Sequence, residues 1–148
     1  MTVTAPKAQQ IKTVVWTPAS GSALTIPGVQ DVQGPGRSGS RLAWSGNGVA
    51  TEQAQSMEDI SGRCTVTTTD LSLQSHASLA IGTAGSLAVT NQQRAARGAV
   101  GGADQTATMP ESMVESVEPG PPHRGLSTLT ITFTGVKEDG TEPVTYGA

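Results

Sequence analysis

The segment Leu126-Ser127-Thr128-Leu129-Thr130-Ile131-Thr132-Phe133-Thr134-Gly135-Val136 alternates apolar and hydroxyl-bearing residues without a charge on either face. Side chains on a β-strand point alternately to opposite faces, so this period of two predicts a strand. Leu129, Ile131 and Phe133 are expected in a core. Thr128, Thr130, Thr132 and Thr134 form a β-branched, wettable face suited to water or a neighbouring subunit. No pattern of comparable strength points to catalysis, and the chain reads as an assembly-forming β protein, not an enzyme.

A second long alternation runs from Met57 to Thr68. Ile60, Gly62, Cys64, Val66 and Thr68 share one face, and Ser61, Arg63, Thr65 and Thr67 the other, with Arg63 its only strong outward charge. Shorter strands are expected at Thr13–Thr17, Ala23–Ile26, Arg41–Trp44 and Val144–Tyr146, and a strand beginning at Thr106–Pro110 continues through Val114 and Val117. Leu79–Gly82 and Ser86–Thr90 are expected to pair as a hairpin about Thr83-Ala84-Gly85. Asp70 is placed to cap a short helix over Leu71–Ala77. The glycines and prolines of Val29–Ser40 predict an exposed loop, and Glu118–His123, with three prolines, the end of a strand. Val49–Asp59 reads as a short helix or an irregular connection.

Eight to ten short strands, at most two short helices and no βαβ pattern predict an antiparallel β-sandwich or barrel. The 148 residues form a single β domain, with residues 1–12 a flexible or interface arm and residues 91–105 an extended loop.

The core of such a domain is thin. Val, Leu, Ile and Phe together make up about 18% of the chain, under the roughly 20% at which independent folding becomes doubtful. Net charge is only −3 and charged residues are 14%, so self-repulsion does not hold the chain open. Burial against copies of itself is the favoured route to stability, with a small monomeric sandwich the alternative. Nine basic residues scattered along an acidic chain argue against a free nucleic-acid binder. They leave open a conduit through which nucleic acid passes without sticking.

Cys64 is the sole cysteine, so no disulfide forms within a chain, and its setting marks it as a small buried residue. The N-terminus shows no signal-peptide pattern and no run long enough to span a membrane, which predicts no membrane insertion and assembly in the cytoplasm. His76 and His123 have no ligand partner at metal-site spacing, no Gly-x-Ser-x-Gly elbow is present, and the adjacent carboxylates Glu58-Asp59 and Glu138-Asp139 suit solvated strand ends or turns. No catalytic residue, metal or cofactor is expected. Arg94 and Arg97 on the long loop, against Asp104, Glu111, Glu115 and Glu118 beyond it, are either ordinary surface charge or a pair of complementary fields steering subunit assembly.

The order of elements from Met57 to Tyr146 resembles the major tail tube proteins of long-tailed bacteriophages, relatives of the secretion-system tube proteins. The residues that carry it are Gly62-Arg63-Cys64-Thr65-Val66-Thr67-Thr68-Thr69-Asp70-Leu71, the segments Leu79–Gly82 and Gly85–Thr90, Thr108–Val114, and Gly125–Thr134. The resemblance implies two packed antiparallel sheets and six subunits closing a ring through shared sheets. The rings would stack into a hollow tube in the phage tail that conducts DNA during ejection. It further implies that residues 91–105, and the N-terminal arm, contact a neighbouring subunit or ring. Arg63, Thr65 and Thr67, or Thr130 and Thr132, are then candidates for the lumen wall, and other tail proteins and DNA in transit the partners. Alternative readings are a capsid decoration or head–tail connector protein and a carbohydrate-binding β-sandwich module. The last is poorly served by so few aromatics: Trp16, Trp44, Phe133 and Tyr146.

Overall fold

The computed structural model describes residues 8–46, 48, 50–52, 54–94, 103–123, 125–137 and 142–147. Eight strands occupy most of them: β1 (Ala8–Pro18), β2 (Leu24–Thr25), β3 (Val29–Trp44), β4 (Ala54–Thr68), β5 (Ala84–Arg94), β6 (Gln105–His123), β7 (Leu126–Gly135) and β8 (Thr145–Gly147). All pair antiparallel in one sheet of order β2-β1-β5-β6-β7-β4-β3, with β8 added to β6. The sheet is not closed. It curls until its inner face packs on itself, because Trp16 of β1 and Phe133 of β7, separated by two strands in the sheet order, bring their ring centroids within 4.9 Å.

The alternations read from the sequence set the registers. Cys64 and Val66 of β4 pair with Phe133 and Ile131 of β7, all four buried, so both strands turn the expected face inward. Val14, Trp16, Leu87, Val89, Met109, Val114 and Leu129 complete the interior. Two 3-10 segments, Leu71–Ser75 and Ala77–Leu79, close one end. Asp70 caps the first by accepting from the Ser72 amide at 3.0 Å, and His76 Nδ1 caps the second by accepting from the Ser78 amide at 3.1 Å. Leu73 and Leu79 drop into the core, and Trp16 Nε1 donates to the Ser78 carbonyl at 2.7 Å, tying segment to sheet.

Several local expectations are corrected. Val29–Ser40 is not a loop: it lies within β3, and its Gly-Pro cluster forms a bulge between Gln33 and Gly36. Gly34 there has φ +97°, and a Cβ would lie 2.6 Å from the Arg63 carbonyl oxygen, so glycine lets the edge strand bend while staying paired. The stretch expected as a helix or connection over Val49–Asp59 enters β4 at Ala54. Leu79–Gly82 is the end of a 3-10 segment and a turn, so the hairpin expected with Ser86–Thr90 is absent and β5 pairs with β1 and β6 instead. The prolines of Glu118–His123 do not end β6, because past Val114 that strand is paired on one side only, with β7. A strand with a free edge tolerates residues that cannot donate to a ladder. Ala8–Lys12 of the expected arm lies in β1, Asn91–Arg94 of the expected loop in β5, and Gln105 opens β6. Residues 1–7 and 95–102 lie outside the described residues.

Cys64 is fully buried in β4, and that burial pushes its thiol from an ordinary 9.0 up to about 12. The unfolded chain therefore loses the thiol proton from about 9 upward while the folded chain keeps it. Its contribution to stability is constant below that pH and falls above it, by up to about 1.4 kcal/mol per unit until the folded thiol itself ionises. Urea midpoints between about pH 8 and 11 should thus decline more steeply for the unaltered chain than for Cys64→Ala. Equal slopes would contradict it.

Candidate functional site

Two surfaces stand out once the core is assigned. The first is the outward face of β4 and β7. Register places Arg63 opposite Thr134, Thr65 opposite Thr132, and Thr67 opposite Thr130. All five residues expected as lumen candidates, Arg63, Thr65, Thr67, Thr130 and Thr132, therefore share one face. The sequence left two strands as alternatives, and the sheet makes them neighbours. Flanking strands extend this wall: Asp31 and Gln33 of β3 lie opposite Thr67 and Thr65, and Ser116 and Glu118 of β6 lie opposite Thr132 and Thr130. Short hydroxyl side chains pack closely here, leaving Thr132 only 5% exposed. Gly120 is required by that packing, since a Cβ would come within 2.7 Å of Thr130 Oγ1 and 2.8 Å of Thr128 Oγ1. The outcome is a mostly uncharged polar surface four strands wide.

The second surface was not foreseen. Between the pairs Ser38↔Ser61 and Trp44↔Ala54, β3 and β4 pair only with each other, because β7 meets β4 no further than Gly62. The result is a two-stranded ribbon running about 20 Å past the sheet. Leu42, Trp44, Met57 and Ile60 on it are 48–55% exposed. Leu42 and Trp44 share a face two residues apart, whereas Met57 pairs with their neighbour Arg41 and turns the other way. Both faces of the ribbon thus carry apolar residues. Arg41 ion-pairs with Glu52 and donates from Nε to Gln55 Oε1 at 2.8 Å, contacts too exposed to stabilise the ribbon much. In the sequence Leu42 and Trp44 read as part of a short strand and Ile60 as part of the alternation from Met57 to Thr68, and only the length of the pairing sets them outside the body.

An apolar groove of about 620 Å³ lies elsewhere, between the end of β1 and the middle of β6, lined by Pro18, Pro110, Met113 and Val136 among others. Met113 and Val136 are 47% and 60% exposed.

The charged residues expected at an interface are dispersed. Asp104 accepts an ion pair from Lys12 at 2.6 Å, and Glu111 lies 3.7 Å from Lys137 Nζ, partners the sequence spacing gave no means of finding. Glu115 is exposed at a bulge of β6. Arg94 ends β5, its backbone opposite Ala8, and Arg97 lies outside the described residues.

No family model matches the sequence, and no curated protein does. The fold does have counterparts. A chain of the sheath-tube complex of PVC, an extracellular contractile injection system, in its extended state, is similar with a TM-score of 0.53 at 13% identity, over 91% of this chain and 88% of that one. A chain of the anti-feeding prophage (AFP) cap structure, described as the tube-terminating cap, is similar with a TM-score of 0.55 at 10% identity, over 100% of this chain and 95% of that one. At such identities the likeness is one of fold: the chain shares the architecture of these two chains.

Proposed function

We propose that this chain is a non-catalytic structural subunit of a phage-tail-type particle, joining copies of itself into rings that stack as a hollow tube. The ribbon is the observation that carries the reading. A two-stranded ribbon is marginal in water, and one with apolar residues on both faces needs cover on both sides. A second copy of the chain can supply that cover, and the ribbon takes the reaching role that the sequence assigned to residues 91–105. The free edges of β3 and of the far half of β6 leave backbone groups that neighbouring sheets can satisfy. The polar wall suits the inner surface: threonine hydroxyls, with Arg63 balanced by Asp31 and Glu118 on the same face, offer a passing DNA little to adhere to. The likeness of fold to injection-particle components supports the same reading. Six-fold rings, a place in the virion tail and contact with other tail proteins belong to this proposal.

Electron microscopy of the purified protein tests it. Hollow rings or tubes of constant diameter are expected, with ring symmetry read from end-on views. A chain that sediments as a folded monomer at concentrations approaching millimolar and shows no rings would overturn it.

A further inference from the structure

We propose that the apolar groove between the end of β1 and the middle of β6 receives the ribbon of a second copy of this chain, with Leu42 and Trp44 as the seated pair. This rests on the assembly reading and deepens it by naming the surface that the ribbon meets.

The groove exists because one row of the sheet presents almost no side chain to solvent. Pro18, Gly85, Ser112 and Gly135 stand opposite one another across β1, β5, β6 and β7. The two glycines have nothing to fill the row, Pro18 is buried, and Ser112 is only 4% exposed, its Oγ donating to the Gly85 carbonyl at 3.1 Å. Glycine is required at position 85, since a Cβ there would run into the Thr17 carbonyl oxygen. Four strands in register span about 14 Å, and Met113 and Val136 stand exposed along that length. Among the described residues Glu111 is the one charged member of the lining, and Lys137 lies 3.7 Å from it. An apolar visitor therefore meets no unpartnered charge that it would have to desolvate.

The ribbon has the matching shape. Leu42 and Trp44 stand about 7 Å apart on one face, and their cross-strand neighbours there, Ser56 and Ala54, are small. Two large side chains thus project as a pair whose spacing fits within the length of the groove. A subunit's own ribbon does not reach its own groove. Gly135 in the groove floor pairs with Gly62 at the root of the ribbon, whereas the pair Trp44 and Ala54 lies eight residues, about 26 Å, further along β4. Each chain consequently gives one ribbon and takes another, the heterologous geometry from which rings are closed. The exposed half of Trp44 offers on the order of 100 Å², so the joint is a fraction of the roughly 1,200 Å² of a stable interface and acts beside the free strand edges.

Mixing two chains that are each damaged on one side tests the joint. Val136→Asp sets a carboxylate in the groove at an exposed position, and it should weaken self-assembly at least about a hundredfold while the subunit stays folded. Mixed with the ribbon variant that combines Leu42→Thr and Trp44→Thr, it leaves one intact ribbon facing one intact groove, and sedimentation velocity should show a one-to-one dimer that grows no further. Ser56→Cys combined with Ser86→Cys, one beside Leu42 and one in the groove lining, gives a second readout in a chain whose apolar surfaces are untouched. Mild oxidation should yield a covalent ladder beyond the dimer, whereas either single substitution stops at two chains. Cys64 is buried and stays out of the exchange. Rings that persist in folded Val136→Asp, a mixture that stays monomeric, or a double-cysteine chain that forms rings without a ladder would each overturn the groove as the ribbon's seat and leave the assembly reading standing. An unaltered chain that forms no rings would overturn both.

Discussion

Phe133→Ala is expected to lower the stability of this chain by about 3–5 kcal/mol, the range for deleting a large aromatic ring from a packed interior. Phe133 is fully buried and is the only phenylalanine in the chain. Its contact with Trp16 ties β7 to β1, so the change removes apolar burial and part of the contact through which the curled sheet packs on itself. A domain of this size has roughly 5–15 kcal/mol in total, so the loss is a large share of the whole. Urea unfolding followed by tryptophan fluorescence measures it. Phe133→Leu, which keeps most of the volume, should cost under about 1.5 kcal/mol. A loss below about 1 kcal/mol for the alanine variant would mean that the two sides of the sheet do not depend on this contact.

Paired substitution of Leu42→Thr and Trp44→Thr is expected to abolish polymer formation and leave the subunit folded. Threonine keeps the strand preference of both positions and removes most of their apolar surface. Each side chain is about half exposed in the lone subunit, so its burial against a partner is worth about 1–2 kcal/mol. Losing both weakens every contact by about 2–4 kcal/mol, or roughly 30- to 1000-fold, and the penalty recurs at every subunit of a ring. Circular dichroism and the unfolding midpoint should stay within about 0.5 kcal/mol of the unaltered chain, as for exposed positions generally. Sedimentation velocity distinguishes the outcomes: rings that persist in the folded double variant would show that the ribbon does not hold subunits together.

The parts of the fold legible in the sequence were those where one physical signal stood alone. Leu129, Ile131 and Phe133 against the intervening threonines gave β7 its inward and outward faces, and Cys64 and Val66 did so for β4. The polar wall followed from the same alternation, although two facing strands could be recognised as adjacent only when register joined Thr65 to Thr132. Misreadings came where a local signal met a tertiary context. Gly34, Pro35 and Gly36 read as a loop because the same residues that break a central strand are accepted in a bulged edge strand. Pro119 read as a strand end for a similar reason, since nothing local reveals that one side of β6 is unpaired. Ala54 and Gln55 favour a helix by propensity, and pairing with Trp44 and Ala43 overrides that preference. The ribbon was hidden because the exposure of Leu42 and Trp44 depends on where β7 stops, some ninety positions later in the chain.

The order of strands in the sheet also bears on how the molecule is made. β1 pairs with β5, and β4 with β7, so neither partnership forms until some 70 further residues have been synthesised. A nascent chain that has emerged only through residue 120 lacks Leu129, Ile131, Phe133 and Val144, and with them much of the interior. Long-range pairing of this kind is slow and leaves strand edges uncovered meanwhile. The ribbon, in contrast, is a local hairpin able to form early on the ribosome. A growing polypeptide thus displays its apolar projection before the rest of its sheet exists, and under the proposed assembly the pace of translation sets how long that projection stands alone.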